Sequence, residues 1–219
     1  MTSRRVRAMM SGRLRDQRGM TLMELLIAMV IATIITSFLL VSWFALQTSY
    51  SRSVKSAESR ETARDAVARM TREIRDAAGN AGDPTFFVAK PSQIVFTTPF
   101  NDVNGTNQRI MYQLVDGGAG EGGRIVRGSD DNANDVIDPE ERQIVIAGNV
   151  VNGSTPVFTY TYANPDGSIA TASSLTSTQL YQVKILNVQI HVMIDLNPGQ
   201  SPNYMDLIST AQPRNLRNF

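Results

Sequence analysis

The 219-residue sequence contains no cysteine and only one histidine, His191. The lack of cysteine excludes disulfide frameworks, zinc–cysteine sites, iron–sulfur clusters and a cysteine nucleophile. A lone histidine supports neither a zinc site nor a catalytic triad, because both need further ligands or partners. No nucleophile stands beside a suitable base, so the sequence predicts a protein that is not an enzyme.

Glycine and proline are absent from Met20 to Ala78, a run of 59 residues. Because both residue types interrupt helices, this absence predicts one long helix over residues 20–78. Gly79 and Pro84 then supply a helix-ending pattern. Within the helix, residues 25–46 carry no charge. Twenty-two helical residues cover about 33 Å, which is enough to cross the hydrocarbon core of a membrane.

Charge is distributed unevenly along the chain. Residues 1–19 carry six arginines and one acid, whereas the remainder carries 15 basic and 19 acidic side chains, a net charge of about −4. A basic segment before an apolar run is typical of membrane targeting, and it places the N-terminus in the cytoplasm and residues beyond 46 outside. The acidic remainder argues against nucleic-acid binding by the folded part of the chain.

An uncleaved signal anchor is one interpretation of the N-terminal segment. A secretory signal peptide fits less well, because its apolar region is shorter and ends in small residues.

The second half of the predicted helix is amphipathic. Apolar side chains recur at spacings of three, four and seven residues, at Leu46, Tyr50, Val54, Ala57, Ala63, Val67, Met70, Ile74 and Ala77. The opposite face is charged and includes Arg69, Arg72 and Glu73. A coiled coil is the alternative, but the heptad register is too short to favour it. We therefore expect the apolar stripe to pack on a sheet of the same chain.

Glu24 stands at the start of the apolar run. A carboxylate that enters a bilayer costs several kcal/mol unless it is neutralised, so this residue is expected to have a functional partner. The surrounding string, Arg18-Gly19-Met20-Thr21-Leu22-Met23-Glu24-Leu25-Leu26, resembles the processing site of type IV prepilins and type II secretion pseudopilins.

The resemblance implies a specific modification of the N-terminus. In this family a dedicated peptidase cuts after the glycine and methylates the new N-terminus. Residues 1–19 would then be the leader peptide, Met20 the methylated N-terminus, and Glu24 the fifth mature residue. The Glu24 carboxylate would pair with the Met20 amine of a neighbouring subunit. The sequence departs from the family pattern in having Met20 where phenylalanine is usual and in its rather long leader.

Past Pro84 the pattern changes to short β-rich runs separated by Gly, Asn and Asp. Strands are predicted near 93–98, 109–114, 124–127, 143–147, 157–162, 183–193 and 204–210. A slip in the alternation at Leu186-Asn187 indicates a β-bulge. The predicted fold class is α+β and pilin-like: a long N-terminal helix packed on a mainly antiparallel β-sheet head that covers residues 79–219. The tail, residues 210–216, resembles that of PilW-like minor pilins.

One acidic segment matches the twelve-residue calcium loop. Calcium takes six to eight oxygen ligands, which such loops supply from positions 1, 3, 5, 7, 9 and 12. In this sequence those positions are Asp130, Asn132, Asn134, the Val136 carbonyl, Asp138 and Glu141. The sixth position is Asp135 rather than the usual glycine, and no helices flank the loop. We predict a calcium ion as the cofactor here, and the alternative is a solvated acidic turn formed by Asx turns.

The combined features predict a minor pilin that helps to initiate or cap a type IV pilus. The head is rather large and lacks the cysteine pair of major pilins, and the helix lacks the glycine or proline that often loosens it there. The resemblance implies as partners a prepilin peptidase, other major and minor pilins, and inner-membrane lipid before assembly. Two alternatives stay open: a minor pseudopilin of a type II secretion system, and a single-pass membrane-anchored calcium-binding module.

Overall fold

The structure is a computed structural model that describes residues 20–79, 83–99, 108–117, 122–132, 134, 136–138 and 140–214. It contains a 54-residue helix, α1 (Leu22–Arg75), and a short helix, α2 (Ser177–Gln182). The strands are β1 (Phe86–Ala89), β2 (Gln93–Thr98), β3 (Gln108–Val115), β4 (Gly123–Ser129), β5 (Gln143–Val150), β6 (Phe158–Ala163), β7 (Ile169–Ala172), β8 (Lys184–Asp195) and β9 (Tyr204–Ala211).

All nine strands form one antiparallel sheet. Its order is β1-β2-β3-β4-β5-β8-β6-β7, and β9 pairs with β8 outside this path. The 12-residue β8 is long enough to pair with β6 and β5 along one edge and with β9 along the other. The α+β, pilin-like fold class predicted from the sequence is therefore confirmed.

The chain divides into two compact units: the first ends at Tyr50 and the second begins at Ser51. In the first unit, α1 exposes every side chain from Leu22 to Tyr50. In the second unit, the rest of α1 packs on the inner face of the sheet. Thr71 donates a hydrogen bond from Oγ1 to Ser209 Oγ of β9 at 2.9 Å, and the Ala78 N–H donates to the Thr97 carbonyl of β2 at 2.9 Å.

The predicted apolar stripe of α1 is only partly buried. Ala63, Val67, Met70, Ile74 and Ala77 lie in the core as predicted. The N-terminal members of the stripe are exposed: Leu46, Tyr50, Val54 and Ala57. The prediction for Glu73 is wrong, because this residue was assigned to the solvated face and is only 1% exposed. Its partners lie on β3 and β4, which helical spacing cannot reveal.

All seven predicted strands are present with small shifts at their ends. The predicted bulge is confirmed, because Thr161 pairs with Asn187 and Tyr162 with Ile185, which leaves Leu186 without a direct partner. The sequence interpretation missed β1, β7 and α2, which have only four to six residues each. A signal for α2 was available, since Thr176 and Gln179 form a capping box.

Candidate processing and assembly site

The predicted processing site lies at the N-terminal end of α1. Gly19, the residue before the predicted cleavage, lies outside the described residues. Met20 is the first described residue and its side chain is exposed. Glu24 lies in the first turn of α1. The structure therefore describes the mature side of the junction, from Met20 onwards.

Glu24 closes a capping box at the start of α1. The Thr21 N–H donates to Glu24 Oε2 at 2.9 Å, and the Glu24 N–H donates to Thr21 Oγ1 at 3.3 Å. The Thr21 hydroxyl also donates to Glu24 Oε2 at 3.2 Å. The first N–H groups of a helix have no intrahelical partner, and a Thr-x-x-Glu box satisfies two of them. Negative charge at this end also interacts favourably with the helix dipole.

The capping box gives Glu24 a partner that the sequence interpretation missed. The signal was present in the sequence as Thr21-Leu22-Met23-Glu24, the pattern of a capping box before an apolar run. Within its own chain the carboxylate accepts two hydrogen bonds through Oε2. A charge so placed carries part of its solvation with it, which lowers the cost of holding it near lipid.

The helix that follows Glu24 is suited to an apolar surrounding. It is the one helix among the described residues that is long and apolar enough to span a membrane. Four of its hydroxyl groups donate to the carbonyl four residues earlier, at 2.7–2.8 Å, in Thr33, Thr36, Ser37 and Thr48. Every hydroxyl bonded in this way avoids the penalty of an unsatisfied polar group in hydrocarbon. An exposed apolar helix of this kind fits membrane anchoring.

A buried charge cluster joins α1 to the sheet, and we call Glu73, Arg127, Tyr112 and Arg69 the Glu73 cluster. Arg127 of β4 donates from Nε to Glu73 Oε2 at 3.0 Å, and Tyr112 of β3 donates from its hydroxyl to the same oxygen at 2.6 Å. Arg69, one turn earlier on α1, donates from Nε to Glu73 Oε1 at 3.0 Å. The cluster satisfies both carboxylate oxygens inside the core.

Tyr112 acts as a permanent donor in this cluster. Burial raises the pKa of the Tyr112 phenol far above its ordinary value, and the neighbouring Glu73 carboxylate raises the pKa further. The phenol therefore stays protonated at physiological pH. Arg127 Nη2 is buried and has no hydrogen-bond partner among the described residues. The cluster fixes the position of α1 on β3 and β4.

The predicted calcium ligands lie together in the loop between β4 and β5, which is held by hydrogen bonds among its own residues. The Asn134 N–H donates to Asn132 Oδ1 at 2.9 Å, and Asn134 Nδ2 donates to Asp138 Oδ2 at 3.0 Å. The Glu141 carboxylate accepts from the N–H groups of Asp131 and Asp138, both at 2.8 Å. The bond between Asn132 and Asn134 is an Asx turn, the element expected in the alternative to a calcium site, and the bonds to Asp138 and Glu141 close the loop around it.

The remaining predicted ligands lie in the same loop. Asp130 is buried and its Oδ1 accepts from the Asn134 N–H at 3.3 Å, whereas Val136 is exposed. Asp135, which occupies the sixth position, lies outside the described residues. The described residues contain no group of three or more His, Cys, Asp or Glu side chains arranged for a metal. Calcium binding by this loop stays a prediction.

The match between this chain and a known protein family lies near the N-terminus. A family profile described as the prokaryotic N-terminal methylation motif matches residues 14–40. The matched segment contains the Gly19-Met20 junction, the capping box and most of the apolar run. No curated protein matches the chain. The motif implies processing by a prepilin peptidase and assembly with other pilins, and it supports a type IV pilin-like or pseudopilin protein.

Proposed function

We propose that this chain is a minor pilin, a structural subunit that helps to initiate or cap a type IV pilus. The observation that carries the pilin-like part of the proposal is the methylation motif at residues 14–40, which lies on an exposed apolar helix that begins with a Thr21–Glu24 capping box. The resemblance of residues 210–216 to the tail of PilW-like minor pilins supports a minor rather than a major subunit. Asn215 and Leu216 of that tail lie outside the described residues.

In this proposal the covalent chemistry belongs to the prepilin peptidase, and the chain is its substrate. The enzyme hydrolyses the Gly19–Met20 peptide bond with water and then transfers a methyl group from a methyl-donor cosubstrate to the freed Met20 amine, which loses a proton. The protein waits in the bacterial inner membrane, with its N-terminus in the cytoplasm and its head outside. Its helix then moves from lipid into the filament, where the helices of other pilins replace the acyl chains. The proposal assigns the chain no enzymatic activity.

Glu24 supplies the charge that orders the assembly. Cleavage creates a cationic amine on Met20, and this amine of one subunit can approach the Glu24 carboxylate of the next. Glu24 Oε1 makes no hydrogen bond within the described residues, whereas Oε2 serves the capping box. One oxygen can therefore keep the cap while the other accepts the amine. In a low-dielectric filament core such a pair is favoured strongly, because both charges would otherwise be unpaired.

The second candidate, a minor pseudopilin of type II secretion, shares this processing and differs in where the filament ends. We expect the mature chain in filaments sheared from the cell surface. The test is immunodetection in the sheared fraction, with an inner-membrane protein as the control for lysis. Mature chain confined to the membrane and periplasm in cells that display pili would instead favour the pseudopilus of a secretion system.

We also retain the calcium proposal for the loop between β4 and β5. Calorimetric titration of the full chain in detergent should show calcium binding with a dissociation constant of about 0.1–1 mM, the range of extracellular calcium modules. Asp138→Asn is the matched variant, because its amide oxygen can still accept the bond from Asn134 Nδ2 while the charge is lost. Weaker binding by this variant is expected. The absence of calcium-dependent heat in the unchanged chain would refute the site.

A further inference from the structure

The outermost strand β9 has one edge that no strand covers among the described residues. Its other edge pairs with β8 in continuous register from Val188–Ala211 to Asp195–Tyr204. β9 contains one charged residue, Asp206, and no proline. Exposed strand edges of this length are normally protected, because they offer unpaired backbone groups to other chains. Tyr204 and Ile208 are 57% and 60% exposed, so large apolar side chains lie beside this edge.

The hydrogen bonds of β8 reveal which residues of β9 face the free edge. The His191 N–H donates to the Val157 carbonyl, and the Met193 carbonyl accepts from the Val151 N–H. The backbone N–H and C=O groups of odd-numbered residues of β8 therefore point away from β9. Those of even-numbered residues point towards β9, because successive residues of a strand direct these groups to opposite edges. The register pairs those even-numbered residues with odd-numbered residues of β9.

It follows that the even-numbered residues of β9 direct their N–H and C=O groups to the free edge. These residues are Tyr204, Asp206, Ile208 and Thr210. The bond from the Leu196 N–H to the Asn203 carbonyl continues the same alternation past the end of the strand. The free edge spans about 20 Å at 3.3 Å per residue.

The strand β7 has a matching free edge on the opposite side of the sheet. β6 bonds to β7 through the pairs Tyr160–Ala172 and Tyr162–Ala170. The alternation is set by Phe158, whose N–H points away from β8 and donates to the Pro91 carbonyl. The odd-numbered residues of β7 therefore face outwards, and its Ile169 is 68% exposed. Within the described part of the chain, no strand pairs with this edge of β7.

We propose that β9 of one copy of this chain pairs antiparallel with β7 of a neighbouring copy. Strand directions alternate through the order β9-β8-β6-β7, so the two outer strands run in opposite directions. Two copies in the same orientation can therefore join these edges as an antiparallel pair without rotation. The proposal rests on the proposed function, in which all subunits share one orientation along a filament.

The side chains on the two edges favour one register. Ile208 lies opposite Ile169 of the neighbouring copy, which pairs two exposed apolar side chains. Two residues further along, Asp206 then lies opposite Thr171 of the neighbouring copy. Asp206 Oδ1 contacts His191 Nε2 of its own chain, so Oδ2 can accept from the Thr171 hydroxyl while that hydroxyl accepts from Thr161. Apolar and hydrogen-bonding cross-strand pairs of this kind stabilise antiparallel sheets, whereas like charges oppose them. No like charges meet in this register.

The contact is open and weak by itself. In this register the neighbouring copy is displaced along the strand direction by roughly seven residues, or about 23 Å. Each copy therefore uses one edge to bind the next copy, and the pairing repeats head to tail without closing into a ring. A single strand pair is smaller than a stable interface of about 1,000 Å². It acts when the apolar helices already hold the heads together, because tethering raises the effective concentration of the two edges.

Disulfide trapping in membranes tests the contact, and the absence of native cysteine makes introduced thiols specific. The variant I169C/I208C of the full chain is oxidised with copper phenanthroline in membranes that contain the assembly proteins. We expect a ladder on non-reducing gels that begins with disulfide-linked dimers and stays short, because a subunit that initiates or caps the filament has few copies side by side. The matched control is I169C/Q189C, because Gln189 is exposed on the central strand β8 and lies at no free edge. This control should give no ladder.

Each alternative result has a defined meaning. A ladder of equal strength in the Gln189 control, or no ladder in the test variant, overturns the proposal. Dimers from I208C alone, as strong as those from the double variant, would show a twofold β9–β9 contact and also overturn it. Intact mass of the same membranes reports processing independently. Chains that are processed at Met20 but form no ladder would refute the edge contact and leave the proposed function in place.

Discussion

Replacing Arg127 with methionine is expected to lower the free energy of unfolding by about 3–5 kcal/mol. The substitution removes the cation that donates to Glu73 at 3.0 Å while the Glu73 side chain stays 1% exposed. The carboxylate is then left buried with the Tyr112 hydroxyl and the partly exposed Arg69 as its partners. An incompletely paired buried charge is among the largest destabilising effects that a single substitution can produce.

Urea unfolding of the full chain in detergent micelles, followed by circular dichroism of the sheet, measures this effect. Arg124→Met is the matched control, because Arg124 lies on the same strand but is exposed, and a change within about 0.5 kcal/mol is expected. Combining Arg127→Met with Glu73→Met and Tyr112→Phe should recover most of the loss, since an apolar replacement leaves no buried charge. A loss below about 1 kcal/mol in Arg127→Met would show that the cluster is not a buried ion pair.

Replacing Glu24 with leucine is expected to abolish incorporation into filaments while membrane insertion continues. Leucine removes the charge that would pair with the Met20 amine of the next subunit, and it makes the helix more apolar. The substitution also removes the carboxylate that accepts from the Thr21 N–H, while the bond from the residue-24 N–H to Thr21 Oγ1 can stay, so half of the capping box is lost. The structure separates the two effects, because glutamine can accept the Thr21 N–H and so preserves the box.

Glu24→Gln is therefore the decisive companion of Glu24→Leu. If charge pairing drives assembly, both variants reach the membrane and neither enters the filament. Immunodetection of membrane and sheared fractions measures both steps, and the unchanged chain sets the reference. Normal incorporation of Glu24→Leu would contradict the charge-pairing argument. Normal incorporation of Glu24→Gln alone would assign the defect to the helix cap.

Most of the fold could be predicted because its signals are local. The absence of glycine and proline over 59 residues predicted α1, and alternation predicted seven of the nine strands. The positions of β1 and β7 could not be predicted in the same way, because four residues are too few for alternation to be distinctive. The sheet topology places both β5 and β6 along one edge of β8, with β9 along the other, which no local pattern encodes.

Glu73 shows why the pattern on a helix does not determine which charges are buried. It lies beside the apolar stripe, where a charge normally faces water. Its burial depends on Tyr112 and Arg127, which are 39 and 54 residues away in the sequence. Only the register of β3 and β4 brings these side chains together. The exposure of Val54 and Ala57 has the same cause, since the position of the sheet decides where the stripe is covered.

The candidate site was predicted from short motifs rather than from geometry. The resemblance identified Gly19, Met20 and Glu24, and the methylation profile covers all three. The Thr21 contribution was missed, although the capping-box spacing is visible in the sequence. The calcium loop shows where a short motif is not sufficient. The same spacing of side-chain oxygens predicts equally well a metal site and a turn held by its own hydrogen bonds.

The intact mass of the protein, recovered from membranes and from sheared surface filaments, tests the central claim most directly. The account predicts a species that begins at N-methylated Met20, present in both fractions. A strain without the prepilin peptidase provides the control and should retain the leader. A full-length mass beginning at Met1, confined to the membrane of cells that contain an active peptidase, would contradict the account. The chain would then be a membrane-anchored domain that takes no part in filament assembly.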